Sequence, residues 1–490
     1  MTEIDPDDDF APPTPRSRVR LARKLARWGF GFLAVIALVV LVSRWQVGRI
    51  GQRQLNAATN RLDADDPNWR LDAILAEREK NEIKGEENAA SVVSACAAEI
   101  PHEFREWQKS EDANRWWLQT IDNHLPPPDA ITSAETVEQV TLIVRTKALA
   151  LRDKRAGAFP LTISSDPIAT LLPHLDKARQ VASLLQYDGY LAAARKKNPN
   201  RGISSARATL GAARAIGDEP ILVSQLVRIA CAKVGAQTGM QVLAWSEPTD
   251  GLAEFQSELL AEADVPWFQI GMRGERALLD KLFLGLEDGT IPPENAFRYA
   301  STSTPGPQHF AAFRMYKALL PGDRAKFLQI STAFVEASKL PPHEQLAAIK
   351  RVEIPKGPPD EFRYLVTRLL TPACEKIAEA GLRSRADLLS AATCVACERY
   401  RIKNGRWPND LAELTPAFLP SVPVSPFDGK PITYRVFPDR IAVYCFWANA
   451  PFKFETQHTD FQGGEPGTGI GYRVWKPEQR GLPGEEPRDP

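Results

Sequence analysis

The sequence has no excess of charge of either sign. Its 490 residues include 61 Lys and Arg and 61 Asp and Glu, so the formal net charge is zero. Proteins that bind nucleic acid usually carry a basic domain or stripe. The balance gives no support to that class, and we predict no nucleic-acid partner.

Histidine is scarce, and the common catalytic motifs are missing. The chain lacks a Gly-rich phosphate loop, an H-E-x-x-H zinc motif, a nucleophile elbow and a dinucleotide fingerprint. No two histidines have the spacing of metal ligands, and most lie beside prolines: His102, His124, His174, His309, His343 and His458. We expect solvated loop histidines, no cofactor and no metal, and the catalytic residues are unknown from sequence.

Cysteine is also sparse. The six residues are Cys96, Cys231, Cys374, Cys394, Cys397 and Cys445. Cys394 and Cys397 have the spacing of half a redox or zinc motif, but they fall inside a helical pattern, where the N-terminal helix dipole cannot lower a thiol pKa. No second Cys or His pair accompanies them. The pattern favours small, buried helix residues over a metal or redox site.

Only one long apolar run is present, between Arg27 and Arg44. Its uncharged residues 28–43 form about 24 Å of helix, slightly less than the roughly 30 Å core of a bilayer. Arginines at both ends can snorkel, and indole rings favour the headgroup region. We predict a transmembrane helix over residues 28–45, with the side chains Trp28, Phe30, Phe32, Leu33, Val35, Ile36, Leu38, Val39, Val40, Leu41, Val42 and Trp45 in the span.

Two alternatives to a span are a buried core helix and a cleaved signal peptide. A core helix seldom follows a basic block directly, and Ser43-Arg44-Trp45-Gln46 fits a cleavage site poorly. Six Lys or Arg residues precede the run and four follow it over a similar distance. This bias predicts a single-pass protein of the inner membrane with a cytoplasmic N-terminus and an extracytoplasmic body from about residue 46.

Helical periodicity dominates residues 47–405. Apolar residues recur with helical spacing at Val223, Leu226, Val227 and Ala230, after a proline suited to a first helical turn. Further helical patterns cover residues 134–155, 167–197, 203–216, 251–263, 266–286, 322–338, 342–352 and 373–403. No fixed repeat is present, so a regular solenoid is not indicated.

The pattern changes at Gly405, a residue that commonly ends a helix. Strand-like runs follow at residues 432–437, 441–447 and 470–475. Two strands alone are marginal in water, so we expect the sheet to be covered by the C-terminal half of the 373–403 helix. The predicted contacts are Tyr434, Val436, Ile441, Val443 and Cys445 against Leu388, Ala392, Val395 and Ile402, with Trp407 and Phe418 at the junction.

The predicted fold class is therefore mainly α. An irregular all-α extracytoplasmic body follows one N-terminal transmembrane helix and ends in a small C-terminal antiparallel β-module. The predicted segments are a disordered basic cytoplasmic tail (1–27), the transmembrane helix (28–45), the helical body (46–372), the long helix with the β-module (373–475) and a disordered tail (476–490).

Residues 398–435 read ERYRIKNGRWPNDLAELTPAFLPSVPVSPFDGKPITYR. The region from about 395 to 447 resembles the C-terminal region of type II secretion major pseudopilins, which share an Asn-Gly-Arg-Tyr-Pro step and a Gly-x-Pro-Tyr strand. The resemblance implies a long helix followed by a β-region. The chain departs from that family at Ser425, where the family tends to have Asp, and between residues 448 and 464, where no acidic calcium-binding loop is recognisable.

Over its whole length, the chain resembles a set of uncharacterised bacterial single-span membrane proteins with a helical body. The resemblance rests on LDADDPNWRLDAI (62–74), AIGDEPILVSQLVRIA (215–230) and GYRVWKPEQR (471–480). It implies an architecture and a location in the bacterial envelope, and it carries no known activity.

Three groups of residues are candidate site residues. Glu86-Glu87-Asn88 offers carboxylates for acid and base chemistry, Arg273, Glu275 and Arg276 offer a polar cluster, and Trp116-Trp117 offers rings that stack on a sugar. Commoner explanations are preferred for each: acidic residues favour a helix start, charges on one helix face pair in solvent, and Trp is usually core.

The sequence thus predicts a membrane-anchored extracytoplasmic binding or scaffold protein of the bacterial envelope, with an envelope protein as partner and no identifiable reaction. Two alternatives stay open. An envelope hydrolase would need clustered carboxylates lining a pocket. An accessory of a secretion or pilus system would need an exposed C-terminal module.

Overall fold

The computed structural model describes residues 15–81, 83, 85–117, 121–195, 198–292, 295, 316–371, 374–447 and 468–483. Its α-helices in these residues are α1 (Pro15–Asp65), α2 (Leu71–Lys80), α3 (Ala89–Glu99), α4 (His102–Trp107), α5 (Glu111–Trp116), α6 (Pro128–Thr136), α7 (Glu138–Ala148), α8 (Pro173–Ala194), α9 (Pro199–Arg214), α10 (Leu222–Trp245), α11 (Leu252–Ala263), α12 (Trp267–Asp288), α13 (Leu320–Ser338), α14 (Pro342–Lys350), α15 (Asp360–Arg363), α16 (Leu365–Leu370) and α17 (Cys374–Asn404). Strands β1 (Thr433–Val436), β2 (Arg440–Trp447) and β3 (Thr468–Trp475) form one antiparallel sheet in the order β1-β2-β3. The prediction of a mainly helical chain with a small antiparallel sheet is confirmed.

Most helix boundaries follow the apolar periodicity. Helices α11, α12, α13, α14 and α17 begin and end within two residues of the predicted ranges. The single helix predicted over 134–155 is wrong. The backbone leaves α-helical geometry at Val137 (φ −98°, ψ 4°), which separates α6 from α7, and Leu149–Asp153 is a 3-10 helix.

Helix α1 joins the apolar run to the body without a break. It begins at Pro15, so residues 15–27, predicted as part of a disordered tail, are helical; residues 1–14 lie outside the described part. From Gly51 onward α1 packs on α13. A Cβ at Gly51 would lie 2.7 Å from the backbone nitrogen of Gly322, so this close approach requires glycine. Leu55 and Leu62, further along α1, are buried in the body.

Helices α8, α9 and α10 form the centre of the largest hydrophobic core. A Cβ at Gly189 of α8 would lie 2.6 Å from Cγ2 of Thr238 in α10. Helix α9 and the residue after it carry small side chains that are buried: Ala206, Ala208, Ala212, Ala213 and Ala215. Small residues of this kind let neighbouring helices approach closely.

A second core joins the end of α1 to α12, α13 and α16, with Phe283 and Phe327 at its centre. Asp323 of α13 supports the start of α16, because its carboxylate accepts hydrogen bonds from the backbone N–H groups of Val366 (2.9 Å) and Thr367 (3.1 Å). These two donors begin a helix and have no partner within it. The side chain of Asp323 therefore fixes α16 against α13.

The sheet packs on α17 as predicted. Ile441, Val443 and Cys445 share one face of β2 and join the core that holds Leu388, Ala392 and Val395 of α17. Trp407 and Phe418 are partly buried against the same core. In β3, the carbonyl of Ile470 accepts a hydrogen bond from Ser390 Oγ of α17 (3.3 Å).

Two residues that were predicted to lie in that interface do not belong to it. Ile402 is 43% exposed and Val436 is 55% exposed. A seven-residue spacing drifts by about 20° per repeat on a straight helix, so Ile402 has turned away from the face that Leu388 and Val395 share. Val436 is the last residue of the edge strand β1 and lies at the solvent-facing end of the sheet.

Residues 476–483 are folded, although the sequence predicted a disordered tail from residue 476. We call them the C-terminal strap. Leu482 donates its backbone N–H to the carbonyl of Asn123 (3.0 Å), and Leu125 donates to the carbonyl of Leu482 (2.8 Å). Arg480 Nη1 lies 2.8 Å from Glu398 Oε1 of α17. Composition suggested disorder, but backbone pairing and a buried ion pair hold the strap; residues 484–490 lie outside the described part.

Candidate functional site

All twelve predicted side chains of the span lie on the surface of the protein. Their exposure runs from 43% at Ile36 to 79% at Trp28. Among the described residues, α1 is the one helix long and apolar enough to cross a membrane, and none of its apolar window is buried in the body. A membrane anchor and a signal sequence both have these properties.

The segment LDADDPNWR (62–70) contains the last residues of α1 and the turn that follows them. Trp69 is fully buried and donates Nε1–H to Asp63 Oδ1 (2.8 Å). Arg70 Nη2 donates to Asp63 Oδ2 (3.2 Å). This part of the resemblance to single-span proteins therefore has a structural role, because it closes the end of α1 onto the body.

Two members of the predicted Arg273, Glu275 and Arg276 cluster contribute to the same junction. Asp66 accepts hydrogen bonds from Arg273 Nη2 (2.8 Å) and Arg276 Nη2 (2.5 Å). Burial by itself would raise the pKa of Asp66, but the hydrogen bonds from the two arginines outweigh it and hold that pKa below its ordinary value. We call Asp66, Trp69, Arg273 and Arg276 the anchor junction; it ties the end of α1 to α12.

Glu275 does not join this junction. It lines a small apolar cavity with Met272, Ile330 and Phe334. Burial raises the pKa of its carboxyl to about 7, an effect offset in part by a hydrogen bond from the backbone of Leu222. The carboxyl group of Glu275 is therefore desolvated and favours its protonated form, which makes the stability of the protein depend on pH.

Replacing Glu275 with Gln should flatten the dependence of stability on pH. The native pKa of about 7 exceeds the ordinary 4.5, so the folded state holds the extra proton between these values, and stability is lost as pH rises through this window. The loss is at most about 3 kcal/mol. Chemical unfolding at pH 5 and pH 8 should show a smaller difference for the variant than for the wild type, and equal differences would contradict the assignment.

The Glu86-Glu87-Asn88 candidate is a helix start. Asn88 Oδ1 accepts from the backbone N–H groups of Ala90 (2.9 Å) and Ala158 (3.0 Å), and its Nδ2 donates to the carbonyl of Ala158 (3.0 Å). The side chain of Glu86 lies outside the described part. Asn88 is thus an N-cap of α3 that also fastens residue 158 to the helix.

Trp116 is a core residue. It is fully buried, and its ring centroid lies 6.4 Å from that of Trp107 and 6.1 Å from that of Tyr187. A ring enclosed in this way has no face for a sugar. Trp117 is partly buried and packs on the same cluster, 5.9 Å from Trp107.

The six cysteines are free and buried. Burial raises the pKa of both Cys394 and Cys397, so their thiols stay protonated, and a protonated thiol is neither a nucleophile nor a metal ligand. Cys394 Sγ instead faces the carbonyl of Tyr472 in β3 (3.8 Å). Within the described ranges, no group of three His, Cys, Asp or Glu residues could hold a metal ion.

Three histidines depart from the prediction of solvated loop residues. His102 and His343 are exposed, but they lie in the first turns of α4 and α14. His174 is buried at the start of α8, and its Nε2 lies 3.0 and 2.9 Å from the two carboxylate oxygens of Glu219. Ser224 Oγ donates to the same carboxylate (2.5 Å). The prediction for His174 was wrong because its partner is 45 residues away in sequence. His309 and His458 lie outside the described part.

A polar groove of about 780 Å³ lies between residues 152–155 and helices α9, α10 and α11. We call it the ionic groove. Its lining contains six basic and four acidic residues with a few small or apolar ones: Arg152, Asp153, Lys154, Arg155, Arg207, Arg214, Arg228, Ala253, Glu254, Ser257, Glu258, Ala261, Glu262 and Val265. Volumes of this size are typical of ligand sites.

Ion pairs between the helices form the floor of the groove. Arg207 of α9 donates Nε–H and Nη2–H to Glu258 Oε1 of α11 (3.1 and 2.9 Å). Arg228 of α10 makes a bidentate pair with Glu262 of α11 through Nε (2.7 Å) and Nη2 (3.1 Å), and its Nη1 donates to the carbonyl of Gly217 (2.9 Å). These pairs hold three helices in fixed positions around the groove.

Arg214, at the end of α9, is less completely paired. Its Nε donates to the carbonyl of Lys154 (3.0 Å), and its Nη1 lies 4.0 Å from Glu258 Oε2. Burial lowers the pKa of Arg214 and raises the pKa of Glu258. The floor therefore contains a desolvated cation that its neighbours only partly compensate.

This groove was not predicted from the sequence. Its charged residues come from several segments between residues 152 and 262, and none belongs to a catalytic or ligand-binding motif. The available signal was the spacing within each helix, because Arg207 and Arg214 are seven residues apart on α9 while Glu258 and Glu262 are four apart on α11. Such spacing places charges on one helix face but does not show which helix faces them.

No protein-family model matches the chain, and neither a curated protein nor a solved structure is detectably similar to it. The described residues define the class directly. This is a mainly helical protein with a three-stranded antiparallel sheet, one candidate membrane-spanning helix and a charged groove in its helical body.

Proposed function

We propose that the protein is a single-pass protein of the bacterial inner membrane whose helical body acts outside the cytoplasm as a binding or scaffold unit. The observation that carries the proposal is the contrast along α1. Its segment around residues 28–45 is apolar and exposed, whereas the segment from Gly51 onward is packed into the body.

The size of the exposed surface supports a membrane setting. Burying a large apolar side chain contributes about 1.5–3 kcal/mol, so twelve such side chains represent roughly 20–35 kcal/mol. No part of the described body covers them. The excess of Lys and Arg before the run supports a cytoplasmic N-terminus.

The groove supports binding more than hydrolysis. A hydrolase would use its carboxylates as acid, base or nucleophile, but Glu262 is held by both donors of Arg228 and Glu258 by two donors of Arg207. The Oε2 atom of Glu258 is buried and has no hydrogen-bond partner. An envelope protein as partner, and a role beside a secretion or pilus system, stay predictions from the sequence.

Extraction of native membranes tests the anchor. The full-length protein should stay in the membrane pellet through high salt and alkaline washing and leave it only with detergent. A chain that starts at residue 47 should appear in the soluble fraction and remain strongly helical by circular dichroism, because residues from Gly51 onward still pack on the body. Release of the full-length protein by salt alone would contradict the anchor.

Orientation is tested separately. A reporter that is active only outside the cytoplasm should be active when it is fused after residue 60, and a reporter that needs the cytoplasm should be inactive there. The reverse result would overturn the extracytoplasmic placement. Loss of residues 1–46 from the mature protein, read by mass spectrometry, would show a cleaved signal sequence in place of an anchor.

A further inference from the structure

We propose that the ionic groove is a binding site for a phosphoryl group and that Arg214 is its principal contact. The inference goes beyond the membrane placement and does not depend on it. It rests on three features of the groove: the free donors of Arg214, the pairing of Arg207 and Arg228 with glutamates, and the unpaired cations at the rim.

Arg214 has hydrogen-bond donors that no other described residue uses. Nε is used by the carbonyl of Lys154, but Nη1 is beyond hydrogen-bond distance of Glu258, and among the described residues neither Nη1 nor Nη2 has a hydrogen-bond partner. Its side chain is 12% exposed, and Nη1 and Nη2 stay accessible from the groove, since neither is a buried atom without a partner. A planar guanidinium with two adjacent free N–H groups matches two oxygens of a phosphoryl group.

The other arginines of the floor are largely engaged. Arg228 uses Nε and Nη2 on Glu262 and Nη1 on Gly217. Arg207 uses Nε and Nη2 on Oε1 of Glu258, while its Nη1 has no hydrogen-bond partner among the described residues. These pairs reduce the negative charge that Glu258 and Glu262 would otherwise present to an anion. They also position Arg214 beside the groove without occupying its terminal nitrogens.

The rim adds charge that suits a dianion. Lys154 and Arg155 have no ion-pair partner among the described residues, and the exposed residue Ser257 of α11 also lines the groove. Six basic and four acidic residues leave the lining with a formal charge of +2 (6 − 4 = 2). A tetrahedral dianion on Arg214 is therefore matched in charge, and it has more acceptor oxygens than a carboxylate for the donors of the floor and rim.

Titration of the full-length protein in detergent with inorganic phosphate tests the site by calorimetry. Saturable binding is expected for the wild type, weakened roughly tenfold or more in Arg214→Gln, because charge-assisted hydrogen bonds contribute about 1.5–3 kcal/mol. Arg214→Lys, which keeps the charge but loses the paired donors, should lie between the two. Arg351→Gln, which removes a cation from a different groove, should bind like the wild type.

Absence of saturable phosphate binding to the wild type would overturn the proposal, as would equal affinity in Arg214→Gln. Thermal melts of each variant without phosphate separate loss of the site from loss of the fold; if Arg214→Gln is unfolded, Lys154→Ala and Arg155→Ala carry the test and should each weaken binding. Neither result bears on membrane extraction or orientation, so the two proposals fail independently.

The source of the phosphoryl group is distinguished by reconstitution. Phosphate affinity is compared in membranes of phosphatidylcholine with and without phosphatidylglycerol. A lower apparent affinity with the anionic lipid would mean that its headgroup enters the groove. Unchanged affinity, together with competition by glycerol 3-phosphate, would assign the site to a soluble phosphate ester; both results support a phosphoryl site.

Discussion

Replacing Val443 with Asp should destabilise the sheet and α17 together, by roughly 4–5 kcal/mol or more. Val443 is fully buried at the centre of β2, opposite Tyr434 of β1 and Tyr472 of β3, on the face that packs on α17. The described core around Val443 is built of apolar side chains, so an aspartate there would be a buried charge. Hydrogen exchange should accelerate both in residues 440–447 and in residues 388–400.

Val436→Asp is the matched control. It introduces the same side chain at the end of β1, where the residue is 55% exposed, and should change stability by less than about 0.5 kcal/mol. Faster exchange confined to the strands in Val443→Asp would mean that the sheet is an appendage that α17 does not depend on. Equal losses of stability in the two variants would contradict the burial of the β2 face that packs on α17.

Arg480→Ala should cost about 3 kcal/mol or more and release the C-terminal strap. Glu398 is fully buried, and its ionised form depends on Arg480 and Arg401, which lie 2.8 Å away. Removing one partner of a buried ion pair leaves a desolvated charge, for which about 3–5 kcal/mol is typical. Arg401 remains, so we expect the lower end. Arg480 also donates to the carbonyl of Trp475 (2.8 Å), so the strap loses its link to β3.

Chemical unfolding and limited proteolysis measure these effects. New cleavage is expected within residues 476–483 of Arg480→Ala, and Lys430→Ala, whose side chain is 80% exposed, should match the wild type. Adding Glu398→Gln to Arg480→Ala should recover part of the lost stability, because the uncompensated charge is then gone. A fully stable single variant with an intact strap would contradict the role of the buried pair.

The elements that sequence predicts well here are those whose apolar residues repeat over several turns. Helices α12 and α17 have long stripes, so their ends follow from the spacing, and so does the burial of Leu388, Ala392 and Val395 on α17. The strands are predicted for a similar reason, since Ile441, Val443 and Cys445 alternate with residues on the other face. The core of the fold is thus a local property of the chain.

Ion pairs between residues that are far apart in sequence could not be predicted in this way. Nothing near Glu398 in sequence indicates Arg480, and nothing near His174 indicates Glu219. The ionic groove has the same origin, because Arg228 and Glu262 are placed together by the packing of α10 on α11. Spacing tells which charges share a helix face, but the partner depends on tertiary contacts that one sequence does not encode in any readable pattern.

The unbroken course of α1 has a geometric consequence. An α-helix rises about 1.5 Å and turns about 100° per residue. In the membrane placement proposed above, one residue inserted between Trp45 and Gly51 would lift the body by about 1.5 Å and swing it by about 100° around the axis of the span. A flexible linker would absorb this displacement, whereas the continuous helix α1 would transmit it to the body. In that placement the helix length sets the height of the body above the bilayer and its direction relative to the span, so a neighbour that bound one face of the span would always meet the same side of the body.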